Sequence, residues 1–159
     1  MSKYDHIEDS WIKKALEDYK EPIESKKPNV LALSDYTVDK PWGFEKWMEL
    51  NEFYAFKLIH MKAGNRSSLQ RHEKKVEANY VFEGTAEVLL ENDTGELESF
   101  TFGPGTGWVV PVGRKHRVIA ITDYSAVEVS TPHLDDVQRF HDDTNRNSGK
   151  IQSEHNVSE

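Results

Sequence analysis

The chain has 159 residues, 36% of them hydrophobic, and a net charge of −8; this suits one domain with one core and a share of sequence outside that core. Cysteine is absent, so disulfides and thiolate metal ligands are excluded. Because the sequence also lacks a Lys/Arg-rich block, an apolar run of roughly 20 residues and a signal-peptide core, we expect a cytoplasmic protein that binds neither nucleic acid nor membrane.

The first 35 residues are predicted to form a short helix followed by a linker. Over residues 9–20 the apolar side chains recur at helical spacing and share one face, which is typical of an amphipathic helix. Two prolines and several charges follow this stretch, as expected of a linker.

From residue 36 to residue 141 the pattern changes to short strands separated by turn residues, which predicts an all-β sandwich or barrel. The run Asn92-Asp-Thr-Gly95 is a strong hairpin signal. The predicted strands cover residues 44–50, 53–61, 78–82, 86–91, 96–102, 107–110, 117–122 and 126–131.

The chain is predicted to end in a closing element and a tail. Residues 134–140 are interpreted as a short helix or turn. Between residues 142 and 159 only Ile151 and Val157 are aliphatic, so we expect this tail to be disordered.

Four polar side chains are spaced so that they can meet inside such a barrel. Gln70 and His72 lie two residues apart, so on a strand they point to the same face. Glu77 begins the next predicted strand, and His116 follows a Pro/Gly turn far along the chain. This N/O donor set suits zinc, manganese, iron, cobalt or nickel. We predict one divalent metal ion held by these four residues, with zinc as the expected ion.

The spacing of these residues resembles the two sequence motifs of the cupin superfamily. The residues that match the first motif are Gly64, His72, Glu77 and Gly84, and Gln70 replaces its first His. The residues that match the second are Gly105, Pro111, Gly113 and His116, and Ala120 stands where the motif has Asn. The resemblance implies a double-stranded β-helix, the jelly-roll barrel of the cupins, here preceded by the short N-terminal helix.

A narrower resemblance is to the type II mannose-6-phosphate isomerase cupin, which also occurs as the C-terminal module of bifunctional mannose-1-phosphate guanylyltransferases. It rests on the run from Ser68 to His72 with Glu77, on Pro41-Trp42-Gly43, on the His116-Arg117 pair and on the closing residues 134–140. Two departures stand against it: Glu73-Lys74-Lys75 replaces a His and Arg cluster, and Ala78-Asn79 replaces His-Trp.

The resemblance implies a metal-dependent aldose–ketose isomerase that acts on a sugar phosphate. Such a reaction needs a Lewis acid, a base and a cation for the phosphate. Lys57, Glu128 and Arg117 are the candidate catalytic residues, and Lys75 and Arg117 are the candidates for binding the phosphate.

Two other functions remain open from the sequence. A metal-dependent dioxygenase uses the same fold, although Gln70 argues mildly against it, and a non-catalytic sugar-binding cupin would explain the missing His-Trp. A homodimer is expected, because dimerisation would cover the edge strands of the barrel.

Overall fold

The computed structural model describes residues 36–155, which form two antiparallel sheets. The all-β prediction is confirmed, whereas the predicted N-terminal helix lies outside the described residues. The strands of this part are β1 Tyr36–Lys40, β2 Gly43–Leu50, β3 Ala55–Met61, β4 Leu69–Arg71, β5 Glu77–Glu83, β6 Ala86–Glu91, β7 Leu97–Phe102, β8 Gly107–Val110, β9 His116–Ala120, β10 Tyr124–Ser130 and β11 Gln138–His141.

The sheets pack as a two-layer sandwich. One sheet has six strands in the order β1-β2-β3-β10-β5-β8, and the other has five in the order β11-β4-β9-β6-β7. Because strands distant in sequence are neighbours, such as β3 with β10 and β6 with β9, each sheet is held together by long-range pairing.

Strand periodicity places the core between the two sheets. In β3, alternate side chains are buried, from Ala55 through Ile59 to Met61, as a period of two requires. Val81 from the six-stranded sheet and Val88 from the five-stranded sheet belong to the same buried cluster. Lys57 occupies an inward position of β3 as well, so the core is interrupted by charge at that point.

Two predicted turns are present and have clear local causes. In the β6–β7 turn, the side-chain oxygen of Asn92 accepts hydrogen bonds from the backbone N–H groups of Thr94 and Glu96, both at 3.0 Å. At Gly84, between β5 and β6, φ is +73°, and a Cβ would lie 1.9 Å from the carbonyl oxygen of Asp123. Only glycine fits both that conformation and that approach.

The closing segment, predicted as a short helix or turn, begins with a turn at residues 134–135 and continues as a strand. Residues 138–141 form β11, which pairs with β4 through Gln138 and Arg71 and through Arg139 and Gln70. Pairing with an existing sheet edge satisfies the backbone groups of this segment and overrides its weak helical pattern.

Residues 142–155, which composition assigned to a disordered tail, have defined contacts. Arg146 binds the carboxylates of Asp142 at 2.8 Å and Glu154 at 3.3 Å, and Glu154 also binds Lys40 at 2.7 Å. The ordering comes from paired charges, which a count of aliphatic residues does not detect.

The rest of the proposed domain division, with its boundary at residue 36, stays a prediction. Within residues 36–155, no helix has the length and apolar character needed to cross a membrane.

We predict that Gly84→Ala lowers the free energy of unfolding by at least about 2 kcal/mol, because it adds a steric clash to the cost of a positive φ. Urea unfolding followed by circular dichroism measures the change. Gly95→Ala is the matched control, since Gly95 has a φ of +86° and a Cβ added there would meet no atom within 4 Å. Equal losses in the two variants would contradict the steric argument.

Candidate metal centre and pocket

A cavity of about 130 Å³ opens between the inner face of the six-stranded sheet and the chain that follows β10. Strands β2, β3, β5 and β10 contribute alternate, inward side chains, and β4, β9 and residues 134–155 contribute the remaining wall. The polar side chains that line the cavity include Lys40, Glu45, Lys57, Ser68, Gln70, His72, Lys75, Glu77, Asn79, His116, Glu128, Arg139, Arg146, Lys150 and Glu154.

Three of the four predicted ligands form a buried cluster in this cavity. The Nε2 atoms of His72 and His116 each lie 3.6 Å from a carboxylate oxygen of Glu77. One donor atom from each residue lies within 4.8 Å of the others, so a single ion can contact all three. Each of the three residues is at most 5% exposed, so a metal there would be largely shielded from water.

Hydrogen bonds aim both imidazoles at the cluster. The Nδ1 atom of His72 donates to the carbonyl oxygen of Asp136, and that of His116 donates to the carbonyl oxygen of Arg114 at 3.2 Å. With Nδ1 protonated, Nε2 of each ring presents a lone pair, which is the usual arrangement of metal-binding histidines. Nε2 of His72 is buried without a hydrogen-bond partner. This unsatisfied atom and the N/O donor set fit a divalent metal.

Gln70 lies beside the cluster with its amide nitrogen toward it. Its Nε2 is 3.4 Å from Nε2 of His116, and its Oε1 accepts a hydrogen bond of 2.8 Å from the hydroxyl of Ser68. The register pairs Gln70 directly with His116. A half-turn of the amide would present its oxygen instead, so the fourth ligand stays a prediction.

The charge of Glu77 is compensated by an ammonium group. Lys75 Nζ lies 2.6 Å from Glu77 and 2.9 Å from Glu128. Burial raises the pKa of Glu77, but the Lys75 ammonium group beside it outweighs burial and holds that pKa well below its usual range. Burial also lowers the pKa of His116. An ionised carboxylate beside a neutral imidazole is the protonation state that a metal ion requires.

Alternating charges continue from Glu128 across the sheet. Lys57 Nζ lies 3.5 Å from Glu128 and 3.5 Å from Glu45, and Lys40 lies 3.8 Å from Glu45. Burial raises the pKa of Glu45, but these lysines and a hydrogen bond from Trp47 lower it to about 2. Because Lys40 also binds Glu154, a row of paired charges joins the His–Glu–His cluster to the Glu154 end of the cavity.

Of the predicted catalytic and phosphate-binding residues, the structure brings Lys57, Lys75 and Glu128 into the cavity but not Arg117. In β9 the side chain that precedes it, His116, points inward, so Arg117 points to the other face. Its Nε donates to the carbonyl oxygen of Ser67 at 2.7 Å, and its guanidinium pairs with Asp143. Arg117 is absent from the cavity wall, so the structure does not support a role for it in binding phosphate.

Sequence reasoning missed several residues of the site. Asp136 accepts hydrogen bonds from the backbone N–H groups of Glu73, Lys74 and Lys75, which fixes the turn between His72 and Glu77. Arg139 and Arg146 line the wall opposite the sheet. Residues 134–140, which resemble the closing segment of the family, contain Asp136 and Arg139 and could have indicated both. Arg146 lies in the tail that was predicted to be disordered.

An all-β sandwich with an inward His–Glu–His cluster defines the cupin class of proteins. Within that class, the family model described as mannose-6-phosphate isomerase C-terminal matches residues 29–142. The chain belongs to this family, and the resemblance seen in its sequence motifs is confirmed. No curated protein sequence matches the chain.

Solved structures share the fold. KdgF from Halomonas sp. superposes with a TM-score of 0.55 at 23% identity, covering 64% of this chain and 91% of that one. The capsular polysaccharide assembling protein CapF from Staphylococcus aureus gives 0.59 at 16%, with 69% and 35% covered. Oxalate decarboxylase from Bacillus subtilis gives 0.61 at 17%, with 79% and 38% covered. The chain thus spans little more than a third of the last two proteins. At these identities the likeness concerns the fold alone.

We predict that Glu77→Gln lowers zinc affinity at least about 100-fold, because it removes the only anionic donor of the His–Glu–His cluster. Loss of a residue that only supports a metal ligand costs about 10–100-fold in affinity, and loss of a ligand itself costs more. Competition with a chromophoric zinc chelator measures the affinity. His133→Ala is the control, since this exposed histidine is outside the cluster. Unchanged binding in the Glu77 variant would contradict the assignment.

We predict a pH-dependent stability contribution from Glu45. The pKa of Glu45 is about 2 in the folded protein and about 4.5 when the group is unperturbed, as in the unfolded chain. Its contribution to the free energy of unfolding is therefore complete above about pH 4.5 and is lost as the pH falls through about 2. The stability gap between the wild type and Glu45→Gln should be about 2 kcal/mol smaller near pH 3 than near pH 6. Urea unfolding at both pH values measures the gap. The exposed-site variant Glu52→Gln should show no such change, and a constant gap for Glu45→Gln would contradict the charge pairing.

Proposed function

We propose that the protein is a metal-dependent isomerase that interconverts the aldose and ketose forms of a sugar phosphate, as mannose-6-phosphate isomerases do. The observation that carries the proposal is that the His72–Glu77–His116 cluster and the Glu128 carboxylate share one cavity in a member of this family. A metal centre and a nearby base are the two groups that proton transfer beside a carbonyl needs.

The metal of this proposal is zinc, with manganese, iron, cobalt and nickel as alternatives of the same donor preference. His72, Glu77 and His116 would hold it, and Gln70 would complete the set through its amide oxygen. When bound, a divalent ion at this cluster supplies Lewis-acid polarisation of the substrate carbonyl and of the charge that develops on it.

Glu128 is the proposed base that moves the proton between C1 and C2. Lys75 at 2.9 Å and Lys57 at 3.5 Å hold its carboxylate in the cavity. Burial lowers the pKa of Lys75, but Glu128 and Glu77 outweigh it and raise that pKa above its ordinary value. Lys75 therefore stays protonated at neutral pH. Because an ammonium group cannot accept the substrate's proton, Lys75 serves as a fixed cation and not as the base. With both carboxylates already on its ammonium group, Lys75 is given no phosphate-binding role in this proposal.

The phosphate of the substrate is proposed to bind at the opposite wall of the cavity. Arg139 lines that wall, and its Nε is buried without a hydrogen-bond partner. Another nitrogen of the same group donates to the carbonyl oxygen of Gly149 at 2.8 Å, which fixes the guanidinium. Lys150 lines the same wall, whereas Arg146 is already bound to the carboxylates of Asp142 and Glu154. A planar guanidinium group suits phosphate oxygens, so Arg139, with Lys150 on the same wall, is the proposed phosphate ligand.

A metal-free sugar-binding cupin is the second candidate, and Lys75 is the observation that favours it. Its ammonium group lies 2.6 Å from Glu77, so a cation already compensates the carboxylate that a metal would bind. In this alternative the cavity binds a sugar without turnover. Retention of zinc during chelator competition separates the two candidates.

We predict that the zinc-loaded protein exchanges deuterium from D₂O into C1 or C2 of a hexose or pentose phosphate, and that Glu128→Gln slows this exchange at least about 100-fold, the lower range for a positioned base. NMR of the sugar measures the exchange, and a chelator should abolish it.

Glu87→Gln is the matched control for this experiment, because Glu87 lies in β6 and bonds the hydroxyl of Ser99 rather than lining the cavity. Full exchange in Glu128→Gln would reject Glu128 as the base. Absence of exchange on every sugar phosphate tested, with zinc confirmed in the protein, would reject the isomerase proposal.

A further inference from the structure

A lysine ammonium group lies on the carboxylate that a metal ion at the His–Glu–His cluster would use. Nζ of Lys75 is 2.6 Å from Oε2 of Glu77, and Nε2 of His72 is 3.6 Å from that same oxygen. The other carboxylate oxygen, Oε1, lies 3.6 Å from Nε2 of His116. One of the two oxygens of the anionic ligand therefore already binds a cation.

Three features keep the ammonium group of Lys75 at this position. Its backbone N–H donates to a carboxylate oxygen of Asp136 at 2.9 Å, the residue is 6% exposed, and Nζ also lies 2.9 Å from Glu128. Because the backbone is tied and the side chain is enclosed, the charge can move into water only if the turn between His72 and Glu77 opens. A metal ion at the cluster therefore meets a positive charge that stays in the cavity.

The charge of Lys75 reduces the attraction of the cluster for a divalent ion. Two neutral imidazoles and one carboxylate give the cluster a single negative charge, and the ammonium group cancels it. Two cations that share one buried carboxylate also repel each other, and this repulsion is only weakly screened away from water. The ion is therefore attracted less strongly than it would be by the same three ligands alone.

We propose that Lys75 sets the metal affinity of this centre, because its ammonium group competes with the divalent ion for Glu77. Lys75 acts through Glu77 and is not itself a metal ligand, since an ammonium group has no lone pair to donate. The inference rests on the metal centre of the proposed function and does not depend on the isomerase reaction.

A purely structural role for Lys75 predicts the opposite result. If the ammonium group served only to orient Glu77 toward the histidines, its removal would free the carboxylate to turn away, and zinc affinity would fall. Competition for Glu77 predicts that zinc affinity rises when the ammonium group is removed. The direction of the change therefore distinguishes the two roles.

The test is competition between the full chain and a chromophoric zinc chelator. We expect Lys75→Met to bind zinc at least about 10-fold more tightly than the wild type, because repulsion between charges a few ångströms apart exceeds one tenfold step even at an effective dielectric constant of about 20. Lys74→Met is the matched control. It removes the same charge from the preceding residue, whose side chain is exposed, and should leave zinc affinity unchanged.

Two further variants check the cause of the expected gain. The gain should disappear when Lys75→Met is combined with Glu77→Gln, because the competition acts through that carboxylate. Lys75→Gln, which keeps a polar head group, should bind zinc more tightly, as Lys75→Met does. Circular dichroism checks folding, which the remaining Lys57–Glu128 pair at 3.5 Å favours. Zinc should raise the melting temperature of Lys75→Met more than that of the wild type, since it replaces the missing cation.

Unchanged or weaker zinc binding in both Lys75 variants would overturn the proposal, and so would an equal gain in Lys74→Met. A loss of folding in both Lys75 variants that zinc does not reverse would overturn it too.

The outcomes also separate this inference from the proposed function. If neither the wild type nor Lys75→Met binds zinc, the metal centre is rejected together with the competition. If zinc binding depends on Glu77 but not on Lys75, only the competition is rejected. Absence of deuterium exchange on every sugar phosphate would reject the isomerase and leave the competition standing.

Discussion

The buried carboxylate of Glu77 is the interaction on which the site depends. A carboxylate that is 5% exposed is stable inside a protein only when cations or polar hydrogens surround it. Here Lys75 supplies the charge at 2.6 Å from one oxygen, and the side-chain amide nitrogen of Asn79 lies 3.4 Å from the other. Further ion pairs extend from Lys75. It also binds Glu128, Glu128 pairs with Lys57, and Lys57 pairs with Glu45. Removal of one member would leave its partner buried and unpaired, so this row of charges fixes the geometry of the cavity as well as its chemistry.

The chain after β10 completes the site that the sheets begin. Asp136 holds the turn that carries Lys75, and its carbonyl oxygen orients His72. Beyond β11, Glu154 reaches back to Lys40 at the other end of the charge row. Glu154 also binds Arg146. The wall that carries Arg146 is therefore fixed by the row of ion pairs that ends at the His–Glu–His cluster. Both walls of the cavity therefore carry paired charges: Arg146 with Glu154 on one side, and Lys75 and Lys57 with Glu128 on the other.

Local signals in the sequence predicted much of the fold and part of the site. Gly84 and the Asn92–Gly95 turn were predictable because a positive φ and a side-chain hydrogen bond act within a few residues. The inward direction of His72, Glu77 and His116 followed from strand periodicity and motif spacing. The same periodicity should have excluded Arg117, since the neighbour of an inward residue points outward. The pairing of Lys57 with Glu45 and Glu128 depends on the order of β2, β3 and β10, which local patterns do not contain. Lys40 and Glu154 are 114 residues apart, so their contact was equally inaccessible.

Zinc-edge X-ray absorption on the zinc-loaded protein would decide whether the His72–Glu77–His116 cluster holds the metal, because it reports which atoms surround the ion. We expect a shell of nitrogen and oxygen donors at about 2.0–2.2 Å with the scattering pattern of two imidazole rings, and the pattern of one ring after His72→Ala. A shell of oxygen donors alone, or a wild-type spectrum that His72→Ala leaves unchanged, would show that zinc binds elsewhere and would contradict the His72–Glu77–His116 centre.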